Sequence, residues 1–227
     1  MDASHTPGRW DPARHYQDGG VAESYDRERF SSLAGRVFNY LDRRAVRRAL
    51  EGLAPGSVVA DIPCGTGRLA EVALEMGYEV CGIDISPAML EMARNRLARF
   101  GARFTAKVAD IRALQSDGSR FDAVLSARFL MHFPLGEQRQ FIGSLARLAK
   151  RRLVLTQGID TKWHRLRRDF KRRFDYFGDP AAFPVSESDL AAMLREAGFA
   201  ERRRHAVLPF LSQAVAIVAE PSGGERR

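Results

Sequence analysis

Cysteine, lysine and long apolar runs are all scarce in this 227-residue sequence, and each scarcity excludes something. The only cysteines are Cys64 and Cys81, too few for a disulfide framework or a cysteine-rich zinc site. No stretch reaches the ~18–20 uninterrupted apolar residues of a membrane span. The first twenty residues lack the apolar core of a signal peptide, so the expected location is the cytoplasm. Lysine stands at only four positions among 36 basic residues, the rest being arginine. That bias reads as a GC-rich genome more than as a binding surface. Internal repeats and low-complexity tracts are absent too.

What is present is ordinary for a folded chain: 45% hydrophobic and 28% charged residues, which excludes wholesale disorder. The net charge of +8 is compatible with nucleic acid, an anionic membrane face or an acidic substrate, and its distribution decides among them. Residues 1–20 carry no apolar period and read as a flexible arm. From 21 to 54 the pattern is that of a helical cap, with Leu33, Val37, Tyr40, Leu41 and Ala45 at spacings of three and four and Gly35 expected to break it. Residues 55–220 then alternate short apolar runs with helical stripes. Strands are expected at Ser57–Ile62, Glu79–Ile83, Arg103–Ala109, Phe121–Ser126 and Arg152–Thr156. Helices are expected at Arg68–Met76, from Ser86-Pro87 to Gly101, at Glu137–Ala149 and at Ser186–Ala197. Two further strands, Glu201–Leu208 and Gln213–Ala219, are joined too tightly to be parallel. The expected fold is α/β: a Rossmann-like, seven-stranded, mostly parallel sheet with an antiparallel last strand and helices on both faces. Residues 221–227 read as a flexible tail.

Three acids mark a site. The first strand ends at Asp61 and runs into Pro63-Cys64-Gly65-Thr66-Gly67 before a helix. Glycines there let a ligand approach the backbone, and the helix start offers free N–H groups. The second strand ends at Asp84, suited to ribose hydroxyls, and the third at Asp110. Ligands of open α/β sheets bind at such strand ends. Each acid alone is as compatible with a strand-end or capping role.

Together, Asp61-Ile62-Pro63-Cys64-Gly65-Thr66-Gly67, Gly82–Leu90, Asp110-Ile111 and Phe121–Ser126 resemble, in order and spacing, the motifs of the class I S-adenosylmethionine (SAM)-dependent methyltransferases. The small-molecule branch, like the enzymes of quinone and secondary-metabolite biosynthesis, is the nearest. One departure is Pro63, where the family usually has glycine. The resemblance implies SAM as cofactor, with Asp61 at the methionine amino end beside Pro63, Gly65 and Gly67. It implies Asp84 at the ribose, Asp110 at the adenine amine, and Ile85, Met89 and Ile111 around the ring. Ser126, Tyr25 and Arg29 would complete the cofactor shell. Simple core packing is the competing reading for the apolar three, and an exposed amphipathic helix for Tyr25 and Arg29.

The sulfonium methyl is already activated, so such an enzyme works mainly by alignment. His132 is the candidate base or substrate contact, with packing as its alternative. Cys64, at a helix start where its pKa could fall, reads as structural. No zinc spacing, Ser-His-Asp order or P-loop occurs, and no metal is expected. The stretch Thr161–Phe177, within an insertion at about 160–185, has an apolar face with Trp163 and Phe170 and a net charge of +5. It reads as a lid over a small-molecule acceptor, with Arg128, Trp163 and Phe170 as substrate contacts and an acidic or lipidic acceptor, or a peripheral membrane contact, among its uses. A solvated structural helix is the alternative. Two rivals remain at this stage. An NAD-dependent oxidoreductase shares the glycines and Asp84 but not Asp110. A nucleic-acid methyltransferase fits the charge but lacks a base-flipping motif after the fourth strand, where Ser126-Ala127-Arg128-Phe129 stands.

Overall fold

The computed structural model describes residues 31–114, 120–160, 183–207 and 214–223. Tyr25, Arg29, Trp163, Phe170 and the basic stretch Thr161–Phe177 lie outside the described residues.

Seven strands form one sheet in the order β3-β2-β1-β4-β5-β7-β6. They are β1 Val58–Asp61, β2 Glu79–Asp84, β3 Phe104–Val108, β4 Phe121–Ala127, β5 Ala149–Gly158, β6 Phe199–Ala206 and β7 Ala214–Pro221. β1 to β5 pair in parallel, and β7 runs antiparallel to β5 and to β6, the β6–β7 pairing being the one that a short connection requires. The sheet's middle is buried on both faces, so Val59 and Ala60 of β1, Val124 and Leu125 of β4 and Leu153, Val154 and Leu155 of β5 are wholly apolar. At the edge, β3 leaves Val108 half exposed.

Helices cover both faces. On one lie α1 Leu33–Leu50, α2 Ala70–Glu75 and α3 Pro87–Leu97, joined to the sheet by Val46, Leu50, Val72, Leu90 and Leu97. On the other lie α4 Leu135–Leu148 and α5 Glu187–Glu196, which bury Phe141, Ile142, Leu145, Leu190 and Leu194. The helix starts follow their sequence signals. Ser86 caps α3 by accepting from Met89 N–H, with Pro87 at the first helical position. Ser186 does the same for α5 through Asp189 N–H.

α1 corrects the sequence reading in two ways. Gly35 does not break the helix: its N–H donates to the capping Ser32 hydroxyl at 3.0 Å, inside the first turn. The expected stripe is also docked only at its end, where Leu41 packs on the core and Ala45 is buried. Leu33, Val37 and Tyr40 are exposed, whereas Asp42, Ala45, Val46, Ala49 and Leu50 are buried.

The order reverses around β1, whose neighbours β2 and β4 send their connections to opposite faces. A crevice opens at the carboxyl ends of the strands where this happens.

Candidate active site

The crevice is walled by the ends of β1, β2, β3 and β4 and the loops that follow them. The space between its atoms is ≈ 1200 Å³ including the open mouth, enough for a nucleoside-sized ligand. The structure brings Asp61, Pro63, Gly65, Asp84, Ile85, Met89, Asp110, Ile111, Arg128 and His132 into its lining. Two other expected residues stay out of it. Ser126 is buried in β4, its hydroxyl without a partner among the described residues, just before Ala127 and Arg128, which do face the crevice. Gly67 turns the other way: a Cβ there would meet Leu97 Cδ1 at 2.9 Å and Ala93 Cβ at 3.0 Å. Its lack of a side chain lets α3 close on the loop, whereas a Cβ on Gly65 would meet no atom within 4 Å.

The three acids sit in different electrostatic settings. Asp61 is 1% exposed and, among the described residues, neither carboxylate oxygen has a hydrogen-bond partner. Burial pushes its pKa well above the ordinary carboxylate range; the Arg68 charge opposes this, Asp84 adds to it, and the Ala70 N–H, short of bonding geometry, pulls slightly down. Asp84 accepts from Gly65 N–H at 2.7 Å and from Ser86 N–H at 2.9 Å. Burial still raises its pKa, against the pull of the Ser86, Gly65 and Ile85 N–H groups. Each of its oxygens keeps capacity for one more donor. Asp110 is half-buried and bound by Arg112, whose Nε lies 3.2 and 3.1 Å from the two oxygens and whose N–H donates at 2.8 Å. Burial pushes this carboxyl up, but the Arg112 bonds and charge outweigh it and hold it below the usual range.

Cys64 is settled by the same physics. Its thiol is buried, and burial, with Asp61, Asp84 and Cys81 nearby, raises its pKa well above the free value. The structural reading stands, and the helix-start argument for a reactive thiolate does not. Pro63 follows a cis peptide and lines the crevice without blocking it.

At the β4 end the wall changes character. Phe129, Phe133 and Phe141 pack mutually edge-on or tilted, with centroids 4.8 to 4.9 Å apart. Arg128 has a left-handed backbone (φ 54°), and its N–H donates to the carbonyl and the hydroxyl oxygen of Thr156. Its guanidinium lies 4.9 Å from the Phe38 ring of α1. His132 sits in the short 3₁₀ turn Leu130–His132 beside this wall.

Sequence reasoning missed Arg68, which lines the crevice and ties it to α1. It donates to Asp42 at 2.6 Å and to Asn39 at 2.8 Å. The aromatic trio and Arg112 were missed as well. Among the described residues no helix is long and apolar enough to cross a membrane.

Comparison with known proteins agrees with this geometry. The methyltransferase domain family matches residues 59–152. A magnesium-protoporphyrin O-methyltransferase of Synechocystis sp. is 30% identical over 160 residues, 67% of this chain and 67% of the relative. A ubiquinone biosynthesis O-methyltransferase of Methylocella silvestris is 36% identical over 89 residues, which is 39% of this chain and 33% of that protein. Among solved structures, the magnesium protoporphyrin IX methyltransferase of Synechocystis with bound SAH superposes with a TM-score of 0.75 at 23% identity, covering 92% of this chain and 98% of that one. These matches favour neither a nicotinamide-dependent nor a nucleic-acid-directed enzyme.

Proposed function

The chain belongs to the class I SAM-dependent methyltransferases and moves the sulfonium methyl to a small-molecule acceptor; within that activity, we propose that the acceptor is an anionic oxygen on a planar, ring-bearing molecule. The observation that carries this reading is the β4 end of the crevice, where a fixed arginine, Arg128, stands beside an aromatic wall. A guanidinium suits a carboxylate in charge and shape, and aromatic faces suit a flat ring. The names of the relatives point the same way, since one acts on a magnesium porphyrin and another in ubiquinone biosynthesis, both as O-methyltransferases.

The residues fit the cofactor. Asp61 offers two buried, unpartnered oxygens, the setting for an ammonium group. Gly65 opens the backbone beside it. Asp84 keeps acceptor capacity for ribose hydroxyls while Gly65 and Ser86 hold it in place. Asp110 is kept ionised by Arg112 and can accept from an exocyclic amine. Ile85, Met89 and Ile111 form the apolar slot for the ring.

SAM, when bound, supplies a methyl carbon already activated by its sulfonium. The chain's share is to hold the acceptor in line with it and to exclude water. Arg128 orients the anionic oxygen, and Phe129 and Phe133 fix the plane of the ring behind it. The acceptor's lone pair, held there, would take that methyl carbon, with the C–S bonding pair going back to sulfur. A carboxylate is ionised at neutral pH and needs no base, so His132 serves as a contact that positions the acceptor.

The test is methyl transfer from labelled SAM to two acceptors, a magnesium porphyrin carboxylate and a catechol-type quinone precursor. The expected product is a base-labile ester from the first. Transfer only to the catechol, with a rate that rises through a histidine-like pKa, would replace this reading with an ether-forming enzyme that uses His132 as base.

A further inference from the structure

Among the described residues, two carboxylates, Asp42 and Asp61, stand within the influence of the Arg68 guanidinium, and of these two it is bonded to Asp42. Arg68 donates through Nη2 to Asp42 at 2.6 Å and through Nη1 to Asn39 at 2.8 Å, both on α1. Asp42 is 1% exposed, the only buried acid of that helix. Arg43 of the same helix accompanies it, donating to the Arg68 carbonyl at 2.9 Å. Across the crevice lining, Asp61 has the Arg68 charge as its chief positive influence but makes no bond to it.

A buried acid beside a long, cationic side chain ordinarily takes that side chain as its partner, because an unpaired buried charge is costly. Asp61 does not, and among the described residues it is α1 that holds this side chain: Asp42 and Asn39 take both terminal nitrogens of Arg68. We infer that Asp42 is a positioning residue for cofactor binding, which acts by diverting Arg68 from Asp61 and so keeps the Asp61 oxygens available to the ammonium group of SAM. This rests on the reading of Asp61 as the acceptor of that ammonium. It also gives α1 a role in the site beyond covering the sheet, since only a docked α1 presents Asp42 to Arg68. Without Asp42, the guanidinium is released toward Asp61, and the cofactor's ammonium has to compete with a tethered cation of the same charge.

The experiment measures binding of two probes by calorimetry. S-adenosylhomocysteine carries the amino-acid end, and 5′-methylthioadenosine has the nucleoside without it. In folded Asp42→Asn, the dissociation constant for the first should rise by roughly 10- to 100-fold, the range of a lost charged hydrogen bond, with the second unchanged. Adding Arg68→Met to Asp42→Asn removes the competitor and should recover most of the loss. Asn39→Ala orphans no buried charge and should give the same selectivity at about threefold. Glu75→Gln, which loosens the α1–α2 contact through Arg43 and Arg47 without touching Arg68, should leave the ratio of the two constants unchanged.

If both probes weaken together in Asp42→Asn and Asn39→Ala, or neither does, Asp42 only holds the helix and the inference fails. A double variant no better than Asp42→Asn overturns it too, because Arg68 is then not the competitor. If the wild-type protein binds the two probes equally, the Asp61 reading fails, and this inference with it.

Discussion

The Asp84 carboxylate accepts from the Gly65 N–H at 2.7 Å, so the end of β2 is fastened to the loop that follows β1. Its other oxygen takes the Ser86 N–H at the start of α3. One side chain thus shapes the loop, holds the helix start and faces the crevice. Asp84→Ala is expected to leave the buried Ser86 N–H and the partly buried Gly65 N–H unpaired, at up to about 1–3 kcal/mol each, and to weaken SAM binding as well. Asp84→Asn keeps one acceptor oxygen and should fall between. Melting temperature and calorimetric SAM affinity measured on the same preparations check both effects; a folded Asp84→Ala protein with wild-type affinity would remove Asp84 from the cofactor site.

The raised pKa values of Asp61 and Asp84 make stability depend on pH in a defined direction. A carboxyl whose folded pKa lies above its unfolded value binds more protons in the folded state between the two. Stability of the ligand-free protein therefore falls as pH rises from the ordinary carboxylate range through the raised values. Asp61→Asn removes the larger part of this fall and should melt higher than wild type at neutral pH while losing SAM affinity. SAM brings a positive charge to the same place, so its stabilising effect should grow with pH over the same window. Thermal shifts with and without SAM from about pH 4 to about pH 8 read this directly. A stabilisation that stays flat or declines over that range contradicts it.

The two glycines of the first loop should separate folding from binding. Gly67 has φ 76° and no room for a Cβ against α3. Gly67→Ala is expected to cost roughly 2–4 kcal/mol from strain and overlap. Gly65 has φ 53° and open space beside it. Gly65→Ala should cost only about 1–2 kcal/mol, yet reduce SAM affinity, since the added methyl enters the crevice. Equal stability losses in the two variants would show that this division is wrong.

The strand ends were legible because the signals are local. Asp61, Asp84 and Asp110 each close a short apolar run, and Ser86 and Ser186 announce the helices that follow. The antiparallel pair β6–β7 followed from the short stretch between its strands. The docked face of α1 was legible only at Leu41 and Ala45. Leu33, Val37 and Tyr40 fit a helical period as well as the buried residues do, and a period identifies a helix without saying which side meets the sheet. The buried Asp42 is paired with Arg68, 26 residues later in the turn before α2. Pairings of that kind leave no trace in local pattern. The one hint was Arg68 itself, a cation just before the first turn of α2, where the helix dipole disfavours it. Gly67 could be recognised as a necessary glycine, but its use against Ala93 and Leu97 required the position of α3.

Arg152 offers a test of the fold that leaves the crevice alone. It is buried in β5 and donates to the carbonyl oxygens of Ala49 at 3.2 Å and Glu51 at 2.8 Å, while its other nitrogen meets Glu220 of β7 at 3.2 Å. The last carbonyls of α1 have no partners within the helix, and a cation at this end is favoured by the dipole. Arg152 therefore anchors α1 to the sheet by its C-terminus, at the far end from Leu33. Arg152→Met keeps much of the apolar stem and removes the donors, at an expected cost of about 2–4 kcal/mol in stability. Because Asp42 lies further up the helix, where Arg68 meets it, a loosened C-terminus should change SAM affinity little in molecules that remain folded. Chemical denaturation and calorimetry well below the melting transition separate the two quantities. A large affinity loss without a stability loss would show that the anchored end of α1 acts on the cofactor site and not on the fold.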